Sequence, residues 1–222
     1  MYQLNENYFE TIDTREKAYF LGLLTADGCI HKPIPGKRHI RIALILKIQD
    51  KYIIEAFAKA IDFNGNVRTI TIRKGKYAGH QYGCIVFTSD KMARDLDKYG
   101  VFNNKSVIMH SYPNIPDEFD NDFIRGYFDG NGSVFISNEK HWRSGKIFPV
   151  IHFRLFGQQE FLATIKEKLN LKGTFTKSKR SFIYSLNYKR RTQASLFFNK
   201  IYADTNLYLK RKYDVFKNVQ RL

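Results

Sequence analysis

Two residues at matching positions could do chemistry together: Asp27 in YFLGLLTADGCI (19–30) and Asn131 in FIRGYFDGNGSV (123–134). Each closes an apolar segment and is followed by a glycine. The spacing between the copies is constant, 126 − 22 and 131 − 27 both giving 104 residues. Oxygen-bearing side chains delivered to the C-terminal ends of two helices, where the macrodipoles are negative, form an attractive site for a hard cation such as Mg2+. Taken singly, Asp27 reads as a polar residue beside a helix end. The duplicated Gly-x-x-x-small-Asp/Asn-Gly pattern is what favours a shared site. The two copies are not chemically equal, because Asn131 offers one neutral carbonyl oxygen where a carboxylate would bring charge, and hard-cation affinity depends on charged ligands. Asp129 does not replace that charge in this reading: it aligns with Thr25 and lies about 200° around the helix from position 131.

Positioning such a pair requires two helices in close contact. Glycine inside a helix costs roughly 1 kcal/mol relative to alanine, so its presence in both copies calls for a packing reason. Gly22 and Ala26 lie four apart on one face of the first segment, and Gly126 and Gly130 do so on the second. Small residues at that spacing let two backbones approach. The segments are therefore expected as a central pair, with Gly28 and Gly132 stopping them as left-handed caps.

The flanking sequence repeats as well. A basic loop over 31–39 is followed by the strand HIRIALILK, the helix DKYIIEAFAKAI, strands near VRTITIRK and QYGCIVFTS, and the helix SDKMARDLDKYG. In the second copy a loop over 137–149 precedes the strand PVIHFRLFG, the helix QEFLATIKEKLN, strands near GTFTKSKR and SFIYSLNYK, and the helix RTQASLFFNKIYA. The predicted fold class is α+β, with two pseudo-symmetric α-β-β-α-β-β-α halves, antiparallel sheets and a central two-helix interface. The halves are expected over 1–112 and 123–222, joined by a proline- and acid-rich linker at 113–122. A tandem repeat of this length is a duplicated domain.

Charge narrows the function. Among 222 residues, 37 Lys and Arg against 21 Asp and Glu give a net +16, and a basic excess of that size points to a polyanionic partner. No apolar run approaches the ~18 residues of a spanning helix, and MYQLNENYFE lacks the regions of a signal peptide, so no membrane partner and an intracellular location are expected. Cys29 and Cys84, in strand-like contexts without Cys-x-x-Cys spacing, are expected to be buried thiols in a reducing compartment. The six histidines show no ligand spacing. The many tyrosines and asparagines suggest an A+T-rich genome, which fits a microbe, phage or organelle.

FLGLLTADG (20–28) and IRGYFDGNG (124–132) resemble the nine-residue signature of the LAGLIDADG homing endonucleases, the second in the form that ends Asp-Gly-Asp-Gly. The likeness extends through both flanking element patterns and so covers nearly the whole chain. It implies a monomer whose two antiparallel sheets form a saddle over the major groove of a long double-stranded DNA site. It also implies that the eighth signature residue of each helix, here Asp27 and Asn131, holds divalent metal, Mg2+ or another such as Mn2+ or Ca2+, for phosphodiester hydrolysis. A lysine near each scissile phosphate is implied too, and Lys105 and Lys212 fit by their offsets from 27 and 131, with Lys210 and Arg211 as close competitors. Asn131 departs from the pattern. It is compatible with a change made to trap an uncut complex, with a natural nickase, or with a chain kept only for binding. The rival reading is an inactive DNA-binding protein, or an RNA intron maturase, on the same fold.

Strand alternation assigns faces. Ile40, Ile42, Leu44 and Leu46 are expected inward, leaving Arg41 and Lys47 outward; Ile70 and Ile72 inward leave Thr69, Thr71 and Arg73 outward. In the second half the outward set is His152, Arg154, Thr174, Thr176, Arg180, Ser185, Asn187 and Lys189. Arg, Thr, Ser and Asn on a strand can read base edges in the major groove, and lysine more often meets phosphate.

Overall fold

The computed structural model describes residues 2–31, 39–102, 111–179 and 181–220. The first half contains α1 (Arg15–Asp27), β1 (Gly28–His31), β2 (Arg41–Lys47), α2 (Lys51–Ala60), β3 (Arg68–Thr71), β4 (Gln81–Thr88) and α3 (Asp90–Lys98). The second contains α4 (Asp120–Asn131), β5 (Gly132–Lys140), β6 (Ile147–Gly157), α5 (Gln159–Leu169), β7 (Thr174–Lys177), β8 (Tyr184–Tyr188), α6 (Arg191–Ile201) and α7 (Lys210–Gln220). Two four-stranded antiparallel sheets, ordered β1-β2-β4-β3 and β5-β6-β8-β7, repeat one topology. This is the α+β, two-half architecture that the repeat implied.

Local chemistry fixes the helix ends. The Thr14 hydroxyl accepts from Lys17 N at the start of α1, and the Ser89 hydroxyl accepts from Met92 N at the start of α3. Each helix lays its apolar side on the inner face of its sheet. In the first half Phe9, Phe20, Phe57 and Phe87 form one ring cluster; in the second Phe128, Phe153, Phe197 and Phe216 form its counterpart. Among the described residues no helix is long and apolar enough to cross a membrane.

Several expectations are corrected. Gly28 and Gly132 are not left-handed caps: they sit at φ −65°, ψ 144° and φ −91°, ψ 162°, extended backbone that opens β1 and β5. What demands glycine there is space. A Cβ on Gly28 would lie 2.6 Å from the Leu24 carbonyl oxygen, and one on Gly132 would overlap the Phe128 ring and carbonyl. The stretch 137–149 is mostly strand, since the β5–β6 ladder runs out to the pair Lys140↔Ile147 and leaves a turn at 141–146. Helix α4 begins at Asp120, inside the stretch read as linker. Residues 210–220, read as a chain run after the last helix, form α7. Cys84 is buried, but Cys29 is exposed on the outer face of β1.

Candidate metal and nucleic-acid site

Helices α1 and α4 cross through their glycines, and the contact is symmetric. A Cβ on Gly22 would overlap the Phe123 carbonyl oxygen and lie 2.8 Å from Tyr127 N; one on Gly126 would overlap the Tyr19 carbonyl oxygen and lie 2.8 Å from Leu23 N. Residues 19 and 123 are themselves 104 apart, so the sequence repeat is a spatial pseudo-twofold. At the C-terminal end of the pair, a Cβ on Gly130 would overlap Cβ of Ala26 and come within 3.2 Å of Asp27 Oδ2. The four small residues picked from the sequence thus all lie in the interface.

This crossing brings the two ends together. The Asp27 side chain is exposed, and Asn131, half-buried, donates from Nδ2 to Tyr127 Oη at 3.4 Å. The Tyr127 hydroxyl donates to the Phe156 carbonyl at 2.5 Å. Its pKa is pushed up to about 12, first by burial and further by the Asp27 charge, against a lowering contribution from Asn131. Among the described residues no group of three His, Cys, Asp or Glu side chains could hold a metal. The donors at this end are one carboxylate and one amide oxygen. That set fits a hard cation whose shell is completed by water and phosphate oxygens, and it fits less strongly than two carboxylates would.

Lys212 reaches the same place from α7. It is buried, and its Nζ donates to the carbonyls of Phe128 (2.7 Å), Asp129 (2.7 Å) and Gly132 (2.6 Å), capping the C-terminus of α4. An ammonium suits this negative end. Burial pulls the Lys212 pKa down to about 8, while the charges of Asp129 and Asp27 act to raise it. Its competitors go elsewhere: Arg211 pairs with buried Asp50 at 2.8 Å, and the Lys210 side chain is exposed. Lys105 lies outside the described residues.

Three buried charges lie behind the site, and their structural roles escaped the sequence reading. Asp129, fully buried, accepts from Tyr19 Oη at 2.9 Å, Leu209 N at 2.8 Å and Tyr202 Oη at 3.3 Å, so it ties α4 to the start of α7. It points away from Asn131's end, as expected, and burial raises its pKa. Arg125 is 1% exposed; its Nη1 pairs with Asp122 Oδ1 at 2.7 Å, and it donates to the Ile201 and Leu207 carbonyls. Arg15 from α1 joins Asp122 at 3.1 Å, linking the halves near the N-terminal ends of α1 and α4. The signal available was the pair of opposite charges at Asp122 and Arg125, three residues apart and flanking the apolar Phe123 and Ile124.

The outer faces follow the ladder registers. Arg41 and Lys47 are exposed on the outer face of β2, while Ile42, Leu44 and Leu46 are buried and Ile40 is half-buried. In β3 the faces are reversed from the expectation. Thr69 pairs with Gly83 and Thr71 with Gln81, on the side where Ile85 and Phe87 are buried, whereas Arg68 and Ile70 sit opposite Cys84 and Tyr82 on the outer face. Ile70 and Ile72 are therefore exposed and not core, and Arg73 lies in the turn after the strand. In the second sheet the pairs Ser133↔Arg154, Arg154↔Asn187, Thr174↔Asn187 and Thr176↔Ser185 place those polar residues on one outer surface. His152 stacks on Phe135 with centroids 5.0 Å apart and meets Glu139 at 3.1 Å, and Lys189 meets Glu139 at 2.7 Å. Arg180 lies outside the described residues.

This arrangement matches solved structures along nearly its full length. I-LtrWI, a LAGLIDADG homing endonuclease bound to target DNA, superposes with a TM-score of 0.64 at 14% identity, covering 97% of this chain and 90% of that one. I-SmaMI, bound to uncleaved DNA in the presence of calcium ions, gives 0.64 at 11% over 92% and 89%. The meganuclease I-AabMI, bound to uncleaved DNA, gives 0.61 at 12% over 91% and 88%. The chain has the LAGLIDADG homing endonuclease fold. No family model and no curated protein matches the sequence, so the likeness resides in the architecture. Within that fold α1 and α4 are the helices that carry the two repeated glycine-bearing segments, and Asp27 and Asn131 are their last residues.

Proposed function

We propose that this chain is a monomeric, site-specific DNA endonuclease in which the halves 1–112 and 123–222 each take one half of a long duplex site. The observation that carries the reading is the convergence of Asp27 and Asn131 at one end of the α1–α4 crossing, with the Lys212 ammonium on the carbonyl of the next residue, Gly132. Arg41, Lys47 and Arg68 on the first outer sheet face and Arg154, Asn187, Thr174 and Thr176 on the second, on a chain of net charge +16, supply the polyanion platform. Asp27 and the Asn131 amide oxygen would hold the divalent cation, Mg2+ or another such as Mn2+ or Ca2+. Such an ion supplies Lewis-acid stabilisation of phosphodiester oxygens and an activated water. Lys212 keeps the α4 terminus in place through three backbone carbonyls and holds positive charge beside the phosphate.

Asn131 sets the expected activity. With one carboxylate in place of two, one strand is cut slowly or not at all, so the product is a nick. The same substitution supports a second reading, a protein that binds its site without cutting. Incubating the chain with Mg2+ and supercoiled plasmid carrying its selected target separates them. Open circles support the nickase, linear product shows full activity despite Asn131, and unchanged plasmid with tight binding supports the binder. Selection of RNA but no duplex would contradict both.

A further inference from the structure

The two outer sheet faces, equivalent by the pseudo-twofold, differ in chemistry. The middle rows of the first sheet read Cys29–Ala43–Val86 and Ile45–Cys84–Arg68 across the strands. The corresponding rows of the second read Ser133–Arg154–Asn187–Thr174 and Phe156–Ser185–Thr176. In the first row Ala43 and Val86 stand where Arg154 and Asn187 stand in the other half; in the second, Ile45 and Phe156 are both apolar, and Cys84 and Arg68 stand where Ser185 and Thr176 stand. Ile45 is 43% exposed, Val86 39% and Ile70 37%, all on the same face, while Ala43 and Cys84 between them are buried. Arg41, Lys47 and Arg68 surround them. A basic frame around an apolar strip matches a polyanion with apolar points on its inner surface, and it does not suit a membrane or a wholly apolar protein face.

Duplex DNA presents such points in one place, the C5-methyl group of thymine in the major groove. Elsewhere on the groove floor an isoleucine or valine would cover donors and acceptors without replacing their hydrogen bonds, which is unfavourable. We infer that the first sheet recognises its half-site through thymine methyl groups seated on Ile45, Val86 and Ile70, whereas the second sheet reads base edges through Arg154, Asn187 and their neighbours. The inference rests on the DNA reading above and adds which half depends on methyl groups.

The test uses the full chain and duplexes enriched from a randomised library. Each selected duplex is resynthesised with deoxyuridine in place of every thymidine in one half-site at a time, which removes the methyl groups and leaves base pairing intact. One half-site should lose about fourfold in affinity per contacted methyl, the ~0.8 kcal/mol of one buried carbon, while the other changes by less than about twofold. Ile45→Ser combined with Val86→Ser and Ile70→Ser should abolish the sensitivity; Arg154→Ala should weaken binding and leave the sensitivity in place. Equal losses from both half-sites, no loss from either, or sensitivity that survives the triple substitution overturns the inference while leaving DNA binding intact. Failure to enrich any duplex overturns the DNA reading and this inference with it.

Discussion

Gly126→Ala probes the helix crossing on which the site depends. The added Cβ would overlap the Tyr19 carbonyl oxygen and stand 2.8 Å from Leu23 N. Both atoms are backbone, so no side chain can rotate away, and α1 and α4 must part by on the order of 1 Å to restore ordinary contact. Alanine gains about 1 kcal/mol of helix propensity over glycine, but one extra carbon in a close-packed interior costs about 1–3 kcal/mol, more where the backbone must shift. The upper end applies here, which leaves a net loss of about 2 kcal/mol. For a chain of this size that lowers Tm by about 4–8 °C. Gly22→Ala, which meets the Phe123 carbonyl in the same way, should cost a similar amount. The double variant should fall short of the sum, because one separation relieves both clashes. Urea unfolding of the two single variants and the double measures all three quantities. A Gly126→Ala protein as stable as the parent, with propensity unopposed, would refute the close crossing.

Asp122→Ala should destabilise by about 3 kcal/mol, because it strips the anion from a guanidinium that is almost wholly buried; Asp122→Leu with Arg125→Met should recover most of this in the same denaturation assay. Lys212 carries a pH signature. Its folded pKa, pulled to about 8 by burial, lies below the ordinary 10.5, so between these values the unfolded chain binds the extra proton. Its contribution to stability is therefore flat below pH 8 and rises from there towards 10.5. The unfolding free energy of wild type minus that of Lys212→Met should increase by on the order of 1–2 kcal/mol between pH 7 and 9.5; a decrease contradicts the burial.

The helix pair, the repeat and the second sheet's outer face were legible because each rests on a local pattern: glycines at fixed spacing, or polar residues alternating along β6 and β8. What stayed hidden depends on register or on distant partners. In β3, alternation fixes two faces but not which one meets the core. The pairing of Thr69 with Gly83 decides that, and it turns Ile70 to the outer face, away from the helices. The hairpin through 137–149 reads as a loop because its Lys, His, Gly and Pro content masks a ladder held by cross-strand pairs such as Ser137 with His152. Tyr8, Phe9 and Ile12 are buried ahead of α1 although no periodicity marks them. From sequence, Asp129 stands out only as a carboxylate that cannot replace the one missing two positions later. Its structural role is invisible there, since its partners Tyr19, Tyr202 and Leu209 N lie 73 to 110 residues away.

The central claim is that positions 27 and 131 form one cation site at a phosphate. Asn131→Asp tests it most directly, on supercoiled plasmid bearing the selected target, with Mg2+ varied. The second carboxylate should raise double-strand cleavage at least tenfold, on the order of 1.4 kcal/mol at the transition state, and lower the Mg2+ concentration that gives half-maximal rate. Unchanged cleavage and unchanged Mg2+ dependence, with DNA binding intact, would contradict it.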